Sequence, residues 1–282
     1  MAAARELEVI VQSVTALTGG FSRRTTLVDT DDGRLVMRFG GASPKVEAAV
    51  MRIASQVVPV PEVKLAQDGC VVTEYVPGVV LEQALAEGVD LAGLGRAVGE
   101  SLTQVGTIAF PTPGFFRDEN LTVEPPVRPW SALLSQVVAD CMLDQDRLNA
   151  DEQRRWLTLC GHAAPTLTSV DHQARLVHAD ANPKNVIVRR VEDRWQVAAW
   201  IDWEFAHAGC PYADAANMLR FATDYPPEFV DGFRRGYRAE RSDWLEIGQA
   251  FDLFSLSQLL SRPVGHPVGD RVAILVRRML DV

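Results

Sequence analysis

The sequence lacks the cysteine patterns of disulfide-rich and zinc-binding proteins. Its four cysteines include no C-x-x-C pair, so we expect reduced thiols in a cytoplasmic protein. The opening residues, MAAARELEVIVQS, carry charges and no apolar h-region, which argues against a signal peptide. No apolar run approaches the length that crosses a bilayer, so no membrane partner is expected. Internal repeats and low-complexity tracts are also missing.

Other signatures are absent as well. The sequence has no P-loop of the form G-x-x-x-x-G-K-[ST] and no G-x-S-x-G nucleophile elbow. A net charge of −9 argues against a general nucleic-acid partner. The acid excess is uneven, because residues 1–76 hold 9 acids and 8 bases whereas residues 77–282 hold 28 acids and 20 bases. This acid excess has two interpretations: it keeps the protein soluble, or it forms a surface that binds a cationic ligand. Composition alone favours the first.

The first 76 of the 282 residues are rich in strand patterns. Asp32-Gly33 between two β-rich runs is typical of a hairpin turn. Ser43-Pro44 predicts a helix start, with serine as the N-cap and proline in the first turn. This part therefore resembles a small β-rich lobe with one helix.

The rest of the chain is mostly helical in pattern. We expect an irregular loop over 110–129, helices over about 131–162 and from roughly 228 to the end, and strands only over 186–201. The change from strand-rich to helical patterns falls at Pro77-Gly78. The sequence thus predicts an α+β, two-lobed fold, with a domain at residues 1–76 and a larger helical domain at residues 77–282.

One loop carries most of the chemical signal. Residues 176–188 read LVHADANPKNVIV, which sets His178, Asp180 and Asn185 in one loop that runs directly into a strand. The next segment reads as strand, turn and strand, and it ends at Asp202. Because a hairpin returns its second strand beside its first, Asn185 and Asp202 should lie at the same open end, close to Asp180.

Oxygen-bearing side chains of this kind suit a hard divalent cation. Mg²⁺ typically uses one or two carboxylates or amides together with substrate phosphates, whereas zinc prefers His or Cys ligands. Asx residues in a loop are commonly plain caps, so Asp180 and Asn185 alone would prove little. The loop, the hairpin and the second aspartate at its foot form a more specific pattern.

These motifs resemble a known family. The H-x-D-x-x-x-x-N pattern, followed by a strand pair and I-D-W-E, is similar to the catalytic core of the aminoglycoside phosphotransferase family. The sequence G-C-P-Y-A-D at residues 209–214 matches that family's G-x-P-x-x-D element. The resemblance extends over nearly the whole chain, and it implies the two-lobed fold of protein kinases.

The resemblance also implies roles for individual residues. Asp180 would orient or deprotonate the acceptor hydroxyl, while Asn185 and Asp202 would hold Mg²⁺. His178 would brace the loop, and Asp214 would hold it by capping backbone amides. These roles agree with phosphoryl transfer, which depends on positioning and on neutralising charge.

The donor implied by the resemblance is ATP or GTP. A glycine turn in LTGGFSRRT would cover the phosphates, and VVTEYVPG would be the inter-lobe hinge that binds the purine. Where kinases usually have lysine this chain has arginine, which keeps the charge but has a larger donor fork. An ion pair with a glutamate on the first helix is expected for it. The residues assigned to the nucleotide in this way are Gly20, Ser22, Arg38, Glu47, Glu74 and Val76.

Three functions remain open at this point. The first is transfer to a hydroxyl of a cationic antibiotic, either an aminoglycoside or a cyclic peptide of the capreomycin and viomycin type. For it, Asp140 and Asp144, one helical turn apart, are candidate acceptor-binding acids. The second is a metabolite kinase acting on a small alcohol or sugar. The third is a nucleotide-binding pseudokinase, which Arg38 keeps open and the intact Asp180, Asn185 and Asp202 set disfavours.

Overall fold

The computed structural model describes residues 6–17, 24–41 and 43–281. The N-terminal strands are β1 (Val11–Leu17), β2 (Arg24–Thr30), β3 (Gly33–Phe39), β4 (Val63–Gln67) and β5 (Cys70–Glu74). They form an antiparallel sheet in the order β1-β2-β3-β5-β4. The predicted hairpin is present, since Thr30 pairs with Gly33 across a tight turn. The φ of +120° at Gly33 lies in a region that favours glycine.

Helix α1 (Pro44–Ala54) begins at Pro44, as its sequence predicts. The expected cap at Ser43 is wrong, because this side chain makes no hydrogen bond to the first turn. Its φ of −150° and ψ of 74° lie outside the extended conformation that typical N-caps adopt. Proline at the start and Glu47 in the first turn still favour the helix N-terminus.

The larger part of the chain is built from helices packed around one extended apolar core. The helices are α2 (Leu81–Glu87), α3 (Leu91–Val105), α4 (Trp130–Leu143), α5 (Ala150–Leu167), α6 (Tyr212–Leu219), α7 (Pro227–Gly236), α8 (Trp244–Leu260) and α9 (Pro267–Leu280). Helices α3 and α7 approach each other closely, because Gly95 of α3 lies against the backbone of Phe229 and a Cβ there would overlap it. The predicted α+β architecture is confirmed. Within the described ranges, no helix is long and apolar enough to span a membrane.

Short strands complete the larger part. They are β6 (Val79–Val80), β7 (Gly114–Phe116), β8 (Val123–Glu124), β9 (Arg175–Val177), β10 (Val186–Val191), β11 (Arg194–Trp200) and β12 (His207–Gly209). One sheet has the order β11-β10-β6 and another the order β8-β7-β12-β9.

Two secondary-structure predictions need correction. Strands in the larger part were expected only over 186–201, whereas β6, β7, β8, β9 and β12 lie outside that range and are two or three residues long. The expected irregular loop over 110–129 contains the β7–β8 hairpin, whose two- and three-residue strands are too short to give an alternating pattern. The helical pattern expected over about 131–162 is confirmed, and it consists of the two helices α4 and α5. The second one starts at a capping box in which Asn149 and Glu152 each bond the other's backbone.

The β10–β11 hairpin is present as predicted. Val191 pairs with Arg194, so Glu192 and Asp193 form a two-residue turn, and both have positive φ. Such turns match the right-handed twist of the strands. At the open end the Ile201 N–H donates to the Asn185 carbonyl at 3.0 Å. The residues that enter and leave the hairpin therefore lie side by side.

Candidate active site

The loop before the hairpin is held by one buried carboxylate. Asp214, in the first turn of α6, accepts the His178 N–H at 2.7 Å and the Ala179 N–H at 2.8 Å. Ala179, the second of the two donors, adopts a left-handed backbone conformation with a φ of +64°. Burial raises the pKa of Asp214 to about 7, and the two N–H donors oppose that rise. Asp214 thus fixes the backbone of the loop through charge-assisted hydrogen bonds.

His178 is enclosed by the hairpin foot. Its Nε2 lies 3.0 Å from the Ile201 carbonyl, and its Nδ1 accepts the Asp180 N–H at 3.3 Å. The ring lies against Trp203, with 4.4 Å between ring centroids. Burial lowers the pKa of His178 to about 4. A neutral imidazole protonated at Nε2 satisfies both contacts, so His178 ties the loop to the end of β11.

Asp180 is oriented by two amide side chains. Its Oδ1 accepts Asn182 Nδ2 at 2.9 Å, and its Oδ2 accepts Asn185 Nδ2 at 2.7 Å. Burial raises the pKa of Asp180 to about 6, the negative charge of Asp202 adds to the rise, and the two amide donors oppose it. Asp180 is therefore a half-buried carboxyl near a second carboxyl, in a fixed orientation.

The donors at the hairpin foot fit a hard cation. Asn185 commits its Nδ2 to Asp180, which leaves its carbonyl oxygen as the ligating atom. Asp202 lies next to it with a φ of +69° and a quarter-exposed side chain. Two carboxylates and an amide oxygen in one place favour a divalent metal ion.

The protein supplies only part of a metal shell. No group of three or more His, Cys, Asp or Glu side chains in the described ranges could hold a metal ion. Mg²⁺ commonly completes a sparse protein set with phosphate oxygens and water. Asn185 and Asp202 therefore fit a metal that arrives with a phosphorylated ligand better than a resident structural ion.

Arg38 joins three separate elements. From β3 its Nη1 donates to Glu47 of α1 at 2.7 Å, and its Nη2 donates to Asp202. The Arg38 side chain is 12% exposed and that of Glu47 is 1% exposed. The predicted ion pair with Glu47 is present, whereas the contact with Asp202 was not foreseen. A guanidinium suits this place because its fork serves two carboxylates at once.

Other predicted nucleotide contacts are described only in part. Gly20 and Ser22 lie outside the described residues. Glu74 ends β5, and its N–H bonds the Glu62 carbonyl at 2.9 Å. In the described part of the chain no hydrogen bond uses the backbone groups of Val76. With respect to the described residues, the backbone N–H and C=O of Val76 therefore have no hydrogen-bond partner at the connection between the sheet and the helices.

Asp140 and Asp144 lie apart from this loop. Asp140 is exposed on α4 and accepts Gln136 Nε2 at 2.9 Å, while Asp144 lies just past the end of α4. Among the described residues, no hydrogen bond or ion pair joins either acid to the loop. The opposite end of α4 carries Trp130, whose ring contacts His207 at 5.7 Å between centroids. A role in acceptor binding for the two acids stays a prediction.

Sequence reasoning missed several residues around the loop. Asn182 lies inside the H-x-D-x-x-x-x-N pattern, two residues after Asp180, but was not assigned. Asn217 donates from Nδ2 to the Ala179 carbonyl at 3.3 Å, and Arg220 pairs with Asp252. The one signal that could have identified Asn217 and Arg220 is their three-residue spacing after Asp214, which places them along one face of a helix. For Asp252 the sequence holds no local signal, because its partner is 32 residues away.

The sequence pattern of the APH family, described as the phosphotransferase enzyme family, matches residues 13–247. This chain belongs to that family. A search of curated proteins gave no match.

Solved structures share the fold at low sequence identity. A thermostable mutant of aminoglycoside phosphotransferase APH(4)-Ia, in a ternary complex with ADP and hygromycin B, is 15% identical with a TM-score of 0.74, covering 99% of this chain and 97% of that one. A proposed fructosamine-3-kinase from Thermobifida fusca is 18% identical with a TM-score of 0.66, covering 100% and 98%. Macrolide 2'-phosphotransferase MphH from Brachybacterium faecium is 15% identical with a TM-score of 0.62, covering 98% and 95%.

The buried imidazole predicts how stability depends on pH. The folded-state pKa of His178 is about 4, below the ordinary value of 6.5, so the unfolded chain takes up the proton first. Stability should therefore fall as pH drops from 6.5 towards 4, by about 2 kcal/mol at pH 5 for this group. Urea unfolding at pH 7.5 and pH 5, followed by tryptophan fluorescence, should show that His178→Gln loses less stability than the wild type over this interval.

The exposed His162→Gln is the matched control and should follow the wild type. Because other buried carboxyls also titrate in this range, the quantity that decides is the difference between variant and wild type. An identical pH dependence for His178→Gln and the wild type would contradict the neutral, buried assignment.

Proposed function

We propose that this protein is a Mg²⁺-dependent phosphotransferase that moves the γ-phosphate of ATP to a hydroxyl of a small cationic antibiotic. The observation that carries the proposal is the fixed set of Asp180, Asn185 and Asp202 at the foot of the hairpin. Family membership supports phosphoryl transfer, and a donor containing adenine is supported by the ADP bound in the similar APH(4)-Ia structure. Cysteine usage supports a cytoplasmic location.

Each part of the site has a task in this proposal. Asn185 and Asp202 hold Mg²⁺, which neutralises charge on the phosphate oxygens when it is bound. Arg38 adds a positive charge on the small-sheet side, next to Asp202. The backbone groups of Val76, which have no partner among the described residues, suit the edge of a purine. The nucleotide would then lie between residues 1–76 and residues 77–282, the two proposed domains.

Asp180 serves the acceptor. A carboxylate with a raised pKa is a better proton acceptor than an ordinary aspartate, and its two amide contacts fix its direction. Its oxygen would receive the hydrogen of the acceptor hydroxyl as the oxygen attacks phosphorus. Transfer of this kind gains most of its rate from such positioning.

The acceptor class rests on weaker support. The acid excess of residues 77–282 suits a cation, and two of the similar structures are antibiotic phosphotransferases by name. A metabolite kinase is the second candidate, supported by the similar proposed fructosamine-3-kinase. A pseudokinase is disfavoured because the loop keeps both its acid and its metal-ligating residues.

The first test is a transfer assay with the Asp180→Asn variant. Purified protein with Mg-ATP is offered a panel of aminoglycosides, cyclic peptide antibiotics, macrolides, amino alcohols and sugars. Mass spectrometry then detects the gain of one phosphoryl group. The wild type should phosphorylate a cationic member of the panel, and Asp180→Asn should lose about 10²–10⁴-fold in turnover.

Asp193→Asn makes the same chemical change in the exposed β10–β11 turn and should retain full turnover. Near-normal turnover in Asp180→Asn would remove that residue from the reaction. Repeating the assay with Mg-GTP tests the choice of donor.

The second test concerns the metal and the nucleotide. If Asn185 and Asp202 hold Mg²⁺ against ATP, Mg-ATP should stabilise the folded protein by about 2.7 kcal/mol at 100 times its Kd. Asp202→Ala should abolish the difference between ATP with Mg²⁺ and ATP with EDTA. Thermal melts that respond to neither Mg-ATP nor Mg-GTP would rule out the proposed function.

The third test addresses the charge of the acceptor. For the best acceptor of the panel, KM should rise steeply with added salt at fixed Mg²⁺ and saturating nucleotide, because screening acts over about 8 Å at physiological ionic strength. The rise should shrink when Asp140 and Asp144 are changed to asparagine. The control is the double variant in which the exposed Asp68 and Asp193 are changed to asparagine, which should keep the full rise of KM with salt. A flat KM, or an uncharged best acceptor, would favour the metabolite kinase instead.

A further inference from the structure

Helix α6 presents two side chains, one turn apart, to the loop that precedes Asp180. Asp214 accepts the N–H groups of His178 and Ala179. Asn217, one turn on, donates to the Ala179 carbonyl at 3.3 Å. Arg220 follows after another three residues and caps the C-terminal end of α6, where its N–H bonds the Asn217 carbonyl at 3.2 Å.

The left-handed residue before Asp180 is held from both sides. The N–H of Ala179 is bonded to Asp214 and its C=O is bonded to Asn217, both on α6. A left-handed conformation is unfavourable for alanine by about 1–2 kcal/mol, so it persists because the surroundings fix it. The direction in which the chain leaves Ala179 decides where Asp180 lies. The position of α6 therefore sets the position of Asp180.

The end of α6 is fixed by a buried ion pair. Arg220 Nε lies 2.9 Å from Asp252 Oδ2, and Arg220 Nη2 lies 2.5 Å from Asp252 Oδ1. Both side chains are 8% exposed. Asp252 belongs to α8, which packs along α6. The guanidinium is also near enough to the Asp180 carboxyl for its positive charge to lower the pKa of that group.

A buried ion pair is a poor device for stability alone. Removing two charges from water costs free energy that their attraction only partly returns, and apolar replacements are often neutral or stabilising. Stability therefore does not explain why Arg220 and Asp252 lie inside the core. The pair lies at the end of helix α6, which holds Ala179 by two hydrogen bonds, and this position suggests a reason for the buried charges.

We propose that Arg220, held by Asp252, is a positioning residue for Asp180, acting through the last turn of α6 and through Asn217. The inference rests on the proposed function, in which Asp180 receives the proton of the acceptor hydroxyl. Arg220 touches neither nucleotide nor acceptor in this scheme. It fixes the contacts of α6 with Ala179 and places a positive charge near enough to Asp180 to act on its carboxyl.

The deciding experiment replaces the pair by apolar side chains of similar size, Arg220→Met with Asp252→Leu. The double variant avoids a buried unpaired charge, so it should fold and melt close to the wild type. With the best acceptor of the panel and Mg-ATP, kcat should fall by about 10–100-fold, while KM for Mg-ATP stays within about twofold. This split identifies a misplaced acid, because a merely structural pair would change melting and leave kcat alone.

Arg277→Met with Glu152→Gln removes another ion pair, which joins α9 to α5 far from the loop in sequence, and should leave kcat unchanged. Asn217→Leu provides an independent arm, since it keeps a similar size and loses the donor to Ala179 without adding a buried charge. It should lower kcat in the same way.

Arg220→Lys keeps the charge without the two-point contact and should recover part of the lost kcat. If the double variant unfolds at the assay temperature, kcat of Arg220→Lys is measured instead, at a temperature below the melting transition of that variant. Full wild-type kcat of Arg220→Lys then overturns the proposal. A folded double variant with wild-type kcat also overturns it. A wild type that phosphorylates nothing on the panel overturns the proposed function itself, so the two failures are distinguishable.

Discussion

The site depends on the buried Asp214 carboxylate, which accepts hydrogen bonds from two backbone N–H groups of the loop. Buried backbone N–H groups need partners, and here the loop turns too sharply to supply its own. Asp214 satisfies both the His178 and the Ala179 N–H, and it does so from the first turn of a helix anchored in the large core. The loop from His178 to Asn185 therefore takes its geometry largely from helix packing.

A second constraint connects the small sheet to this loop. Arg38 reaches Glu47 with one terminal nitrogen and Asp202 with the other, so a strand, a helix and the hairpin foot share a single cation. A lysine ammonium would have to contact both carboxylates from a single nitrogen, whereas the guanidinium uses two nitrogens held apart in a fixed fork. The double contact therefore gives a physical reason for arginine, one that the sequence comparison with kinases did not provide. It also neutralises part of the negative charge that Asp180 and Asp202 bring together.

Contacts inside short segments were predictable, whereas contacts between distant segments were not. The β10–β11 hairpin follows from its own alternation, and the approach of Asn185 to Asp202 follows from hairpin geometry alone. The pairing of Arg220 with Asp252 needs two helices to pack side by side, which no local pattern specifies. The β7–β8 hairpin was missed for the opposite reason, since its strands are too short to show a period.

The apolar core also qualifies the boundary at residue 76. Helix α1 precedes that boundary, yet its buried Val50 and Met51 belong to the same cluster as the large helices. The sheet has a separate small cluster formed by Val28, Met37, Cys70 and Val72. The segment after α1 is tied in as well, because the Trp200 N–H donates to the Pro59 carbonyl at 2.9 Å. Helix α1 therefore shares its buried side with the large core although it precedes the predicted boundary, and Glu47 on this helix holds Arg38 of the sheet. The guanidinium of Arg38 thus links the sheet to two parts of the structure that are anchored in the large core, helix α1 and the hairpin foot at Asp202.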